Sequence, residues 1–84
     1  MATSLHEPIK IGVVFAQGVV RPAWFIWHGR RYDVQDVTLH WQTHEGTTPI
    51  LHLNVTDGAT SFELACNQQT LAWYLAAVET DGCE

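Results

Sequence analysis

The chain carries five histidines, two cysteines, nine carboxylates and four Lys or Arg side chains, and the spacing of a few of them could do chemistry. His40 and His52 flank the polar segment His44-Glu45-Gly46-Thr47-Thr48. If that segment joins two antiparallel strands, positions whose numbers sum to about 92 stand opposite one another, so His40 faces His52 and Trp41 faces Leu51. Two imidazoles about 5 Å apart at Cβ could share a metal ion, with His44 or Glu45 as a third ligand, or titrate as a pair. The competing reading is two ordinary histidines on a polar face, because a slip of one residue puts them on opposite faces.

A second group is cationic and aromatic. Arg21, Arg30 and Arg31, three of the four basic residues, lie with His28 in a stretch that contains no acid. Trp24 and Ile26 sit on the face opposite Phe25 and Trp27 if this stretch is a strand. An exposed Trp24 with Ile26 makes a contact surface for a protein, and the same tryptophan beside the arginines could stack a base and hold phosphate. Against the second use, arginines flanking a turn are commonly solvated or paired, and a net charge of -5 repels a polyanion at long range.

Nucleophilic and acid-base chemistry has no local motif. GxSxG, HExxH, P-loop and GxGxxG patterns are absent, and the carboxylates are scattered. Cys66 and Cys83 have neither CxxC spacing nor a histidine pair at a zinc-finger interval, so two reduced thiols are expected rather than a disulfide. The sequence therefore predicts a non-catalytic chain without a cofactor.

The elements that position these residues are strands, since apolar and polar residues alternate nearly throughout. Ile9, Ile11, Val13 and Phe15 form one such series, ended by Gln17-Gly18. Ala23 to His28 forms another before Gly29, and Tyr32, Val34, Val37, Leu39 and Trp41 a third. The three-residue step from Val34 to Val37 predicts a β-bulge at Gln35-Asp36. Ile50 to Val55 and Phe62 to Cys66 alternate again, separated by an Asp57-Gly58 turn. Leu71 to Val78 fits helical and strand spacing equally well. Core positions on this reading are Phe25, Trp27, Tyr32, Val34, Val37, Trp41, Phe62, Leu64, Trp73 and Leu75, because so small a domain must bury its large side chains.

The run Phe25-Ile26-Trp27-His28-Gly29-Arg30-Arg31-Tyr32-Asp33-Val34, followed by Val37 and Trp41, resembles an uncharacterised family of small bacterial β domains marked by F-x-W-x-G-R-x-Y-x-V, then V and W. Those domains end in a hairpin matched here by Phe62-Glu63-Leu64, the polar turn Asn67 to Thr70, then Trp73-Tyr74-Leu75 and Val78. The similarity spans about residues 9–79, implies that Leu71 to Val78 is a strand, and assigns no catalytic residue. Some members look like appendages of Y-family translesion polymerase-like proteins, which implies a nucleic-acid-binding accessory role in DNA repair. Where related domains are basic, this chain has Asp33, Gln35 and Asp36.

Length and composition set the frame for these readings. At 9.4 kDa the chain can bury about 63% of its extended surface, enough for one modest core. The sequence predicts an all-β domain of about six antiparallel strands over residues 9–79, in a strongly bent sheet or small partly open barrel. A flexible N-terminus over residues 1–8 and an acidic tail over residues 80–84 flank it. The apolar runs Ala23 to Trp27 and Leu71 to Val78 are too short to cross a bilayer as helices, and the N-terminus has no signal-peptide pattern, so the expected compartment is the cytoplasm. The expected function is a protein-interaction module, with a homodimer through an open first or last strand as one form of it and nucleic-acid binding as the alternative.

Overall fold

A computed structural model describes residues 2–80 as eight strands without a helix. In chain order they are β1 (Ala2–Pro8), β2 (Lys10–Ala16), β3 (Val19–Trp27), β4 (Arg30–Asp33), β5 (Asp36–Glu45), β6 (Thr48–Thr56), β7 (Thr60–Asn67) and β8 (Ala72–Thr80). They make two antiparallel sheets, one of five strands in the order β1-β8-β7-β6-β5 and one of three in the order β2-β3-β4. The sheets do not close into a barrel. The all-β expectation holds, with two strands more than the alternation suggested. Residues 2–8 form β1 rather than a flexible lead-in, pairing with β8 from Ala2 opposite Glu79 to Pro8 opposite Tyr74. In the C-terminal tail, residues 81–84, which include Cys83, lie outside the described residues.

Tight turns set the pairing. Gln17 and Gly18, with φ of 54° and 77°, and His28 and Gly29, with φ of 53° and 75°, are both two-residue turns in the left-handed region. That backbone matches the right-handed strand twist, so each folds its flanking strands into a hairpin. After β4 the chain passes from the small sheet to the large one at Val34 and Gln35, whose amides donate to Ala23 O and Thr56 O at 2.9 and 2.8 Å. The three-residue step from Val34 to Val37 is this crossover. The bulge lies further on, at Thr38, between the pairs Val37–Val55 and Leu39–Asn54.

The core lies between the two sheets. Phe25 from the small sheet and Leu53, Val55, Phe62, Leu64 and Leu75 from the large one are buried together, with Trp27, Tyr32, Val34, Val37 and Trp73 packed against them. Three rings tie the layers: Phe25 stacks on Tyr32 at 5.2 Å, and Phe62 meets Phe25 and Tyr32 edge-on at 5.0 and 5.1 Å. A polar clasp adds to them, since Trp27 Nε1 donates to Glu7 Oε1 at 2.6 Å and His28 Nε2 lies 2.9 Å from the same oxygen. Glu7 thereby holds β1 of the large sheet against the β3–β4 turn of the small one.

Trp41 does not belong to this core. The bulge at Thr38 reverses the facing of the rest of β5, so Trp41 pairs with His52 and stacks on its ring at 5.0 Å, on the outer side of the sheet.

Candidate functional site

The β2–β3 hairpin carries three of the exposed large apolar side chains among the described residues. Near its base Ile11 pairs with Phe25 over the core. Ala23 is then an extra residue in β3, between the pairs Gly12–Trp24 and Val13–Pro22. Beyond it the hairpin continues with Phe15 opposite Val20 and Ala16 opposite Val19. There Val14, Phe15 and Val19 are 53%, 76% and 61% exposed, large values for apolar side chains this close together.

Beneath this end lies a cleft of about 480 Å³, within the range of ligand-sized sites. Its walls are Gly18, Val19 and Val20 from the hairpin and Val37, Leu51 and Leu53 from the large sheet, and Arg21 and His40 complete the lining. None of these residues is acidic, although the chain carries nine carboxylates. Among the described residues Arg21 forms no ion pair. The result is an apolar hollow whose lining includes the exposed His40, while Arg21, which pairs with Val14 and alternates with Val20 and buried Pro22, turns its side chain to the other face of the hairpin.

The proposed His40/His52 site does not form. His40 pairs with Leu53 and His52 with Trp41, so the two imidazoles lie on opposite faces of the sheet. The cause is the turn: Glu45 pairs with Thr48 around Gly46 and Thr47, one residue tighter than a His44–Thr48 loop, and Gly46 at φ 62° permits it. His44 and Glu45 are the last two residues of β5, both exposed. Among the described residues no group of three His, Cys, Asp or Glu side chains is placed to hold a metal ion.

His52 instead forms a row with residues the sequence reading passed over. Its Nδ1 lies 3.2 Å from Glu63 Oε2, and its Nε2 lies 2.7 Å from Thr43 Oγ1. Hydroxyl, imidazole and carboxylate stand in the order of a nucleophile, base and orienting acid. Thr43 lies on an exposed sheet face, however, and does not line the cleft. The row keeps His52 flat under Trp41, with planes 4° apart, and the two rings stand on the face that holds buried Ile50 and Ala65. On the same face burial pushes the Tyr74 hydroxyl above its ordinary range, with the charges of Glu45 and Glu63 adding to the effect.

The arginines do not form one patch. Arg31 Nε bonds Asp33 Oδ1 at 3.0 Å and its guanidinium lies 5.1 Å from the Trp24 ring, on the outer face of the small sheet. Arg30 turns to the other face and covers Tyr32 at 5.2 Å. Arg21, paired with Val14 beyond the extra residue Ala23, is on the outer face with Trp24 and Arg31, and His28 stacks on Trp27 at 4.4 Å beside Glu7. Trp24 and Ile26 do share the outer face, but both are half-buried, with the Trp24 indole lying over Gly12. Cys66 is buried, which raises its thiol pKa and keeps it protonated at neutral pH.

Val14, Phe15, Val19, Val20, Leu51 and Leu53 were not among the expected binding residues. A signal was present: from Pro8 to Tyr32 there is no carboxylate, and Val13-Val14-Phe15 and Val19-Val20 are apolar on both faces of their strands. A strand apolar on both faces needs a covering layer on each. No family model, curated protein or solved structure matches this chain.

Proposed function

We propose that the domain is a protein-interaction module of the cytoplasm that works by binding rather than catalysis, with the cleft and the end of the β2–β3 hairpin as its recognition site. The observation that carries this reading is the apolar group Val14, Phe15 and Val19, exposed beside an apolar cleft free of carboxylates. Leaving such side chains in water forgoes about 1.5–3 kcal/mol for each that a partner could bury. Arg30 lies on the other face over Tyr32 and Arg31 is paired with Asp33, which favours this reading over an extended nucleic-acid track.

The test is affinity capture from the source cells with wild type and with Phe15→Glu, followed by an amide-shift titration with a single-stranded oligonucleotide at low and moderate salt. One protein retained in near-stoichiometric amount by wild type and lost with Phe15→Glu is expected, with no shifts from the oligonucleotide. Identical proteins retained by both forms, or salt-sensitive shifts around Trp24, Arg30 and Arg31, would overturn the reading, and the second result would establish nucleic-acid binding in its place.

A further inference from the structure

We propose that the partner at the end of the β2–β3 hairpin is a second copy of this chain, joined antiparallel through the free edge of β2 about a two-fold axis at Val13. This rests on the reading of the hairpin end as part of the recognition site and names the partner it takes. Among the described residues four strands end a sheet, β1 and β5 in the large one and β2 and β4 in the small one. Proteins blunt such edges with charge, proline, bulges or brevity. β4 is four residues long, three of them charged. β5 begins at Asp36, ends at Glu45 and is bulged at Thr38. The register of β1 breaks between Ser4 and Glu7, and the strand stops at Pro8. β2 has none of these devices beyond Lys10 at its start: it runs for seven residues, and the irregularity of its hairpin falls in β3, at Ala23.

The backbone of β2 is also aimed at a partner. The amide of Ile9, just before the strand, donates to Trp73 O at 3.3 Å, on the side away from β3. Backbone direction alternates along a strand, so Ile11, Val13 and Phe15 turn their amides and carbonyls to that same side, where no strand of this chain pairs with them.

Charge selects a second copy as the occupant. At a net charge of -5 two copies repel wherever their acids meet, and the stretch from Pro8 to Tyr32 holds no carboxylate. A seam with Val13 opposite its own copy engages the whole of β2, from Lys10 to Ala16. On the core side, Phe15 then lies beside Ile11 of the other copy, which is packed against that copy's core. On the outer side, exposed Val14 lies opposite Gly12 of the other copy, beside the Trp24 indole that covers it. Lys10 meets Ala16, so no cation faces a cation across the seam. The base of each hairpin supplies the apolar neighbour that the tip of the other lacks.

The experiment is sedimentation equilibrium of the full chain from micromolar to millimolar concentration at low salt, followed by isotope-filtered NOE spectroscopy on an equal mixture of labelled and unlabelled chains. A reversible dimer is expected, with intermolecular contacts between Gly12 and Val14 and between Ile11 and Phe15. Ala16→Lys, at an exposed position, sets a like charge against Lys10 at both ends of the seam and should weaken the dimer about three- to ten-fold, and Lys10→Glu on that background should restore it. A monomer throughout, a dimer whose intermolecular contacts leave out β2, or Ala16→Lys dimerising as well as wild type would each overturn the inference. The wider reading of the site fails separately: a monomer that captures a different protein through Phe15 keeps that reading and loses this one.

Discussion

The two halves of the β2–β3 hairpin have similar sequences and opposite fates. Toward its base, Ile11, flanked by Lys10 and Gly12, pairs with Phe25, and both are packed into the core; toward its tip, Val13, Phe15 and Val20 continue the apolar series, yet Phe15 is 76% exposed. Alternation decides which side chains share a face, and a second layer decides whether that face is buried. Phe62 and Leu64 of the large sheet supply that layer under the base, whereas the tip has an open cleft beneath it. The base spends its apolar surface on folding, and the tip leaves its own in water.

That contrast is broken most severely at the base. Phe25→Ala removes the ring packed on both Tyr32 and Phe62 and leaves a cavity at a site 1% exposed, so it should cost about 3–5 kcal/mol. In a domain with a small total stability this should abolish the cooperative unfolding transition followed by circular dichroism. A melting temperature near that of wild type would mean that the base is no better packed than the tip.

Gly12 marks where the hairpin changes character, just before the bulge at Ala23. A Cβ there would overlap the Trp24 indole, which lies across the glycine under Arg31. Gly12→Ala should therefore cost about 1–3 kcal/mol as the indole is displaced. Paired with Trp24→Ala the cost should largely vanish, because the overlap is then gone, and a double-mutant cycle in denaturant reads that coupling directly. Additive effects would show that the indole does not rest on Gly12.

Much of the frame was legible because its signals are local. Gln17-Gly18, Gly29 and Gly58 announced turns where the structure has left-handed residues, and Phe62 and Leu64 were identifiable as core from alternation, Phe25 from its size in so small a domain, and Leu75 only once the family resemblance made its segment a strand. What failed depended on counting across a turn or on sheet neighbours. A loop read as five residues holds two, which moved the β5–β6 register by one and separated His40 from His52. The bulge at Thr38 then turned Trp41 outward, though its spacing from Val37 looked like core. β1 escaped notice because it alternates poorly, and its partner β8 lies some seventy positions away in the chain. That pairing also covers one edge of the last strand, leaving β1 and β5 at the ends of the large sheet. The cleft was least visible of all, since its walls come from the hairpin and from β5 and β6 and no local pattern joins them.

A smaller effect is expected at the other exposed apolar turn. Leu71 is 72% exposed and has a φ of 63°, held there because its amide donates to Asn67 O at 2.7 Å while Asn67 Oδ1 accepts from Gln69 and Thr70. A branched side chain in that region is strained, and glycine is not. Leu71→Gly should raise stability by about 0.5–1 kcal/mol, the relief of strain less the greater backbone entropy of glycine. A loss of stability in chemical denaturation would show that the leucine packs against something the fold needs.

The smallest effect on folding should come from the tip itself. Phe15→Ser takes away an exposed ring with no partner in the core cluster, so the change in unfolding free energy should stay within about 0.5 kcal/mol. If the tip is kept apolar for a partner, the same substitution should leave the melting curve in place and abolish capture of the protein that wild type retains. A serine variant that melts well below wild type would remove the contrast between the two halves, because Phe15 would then belong to the fold. A variant that both folds and captures normally would place recognition elsewhere, and the half-buried Trp24 and Ile26 face would become the next surface to mutate.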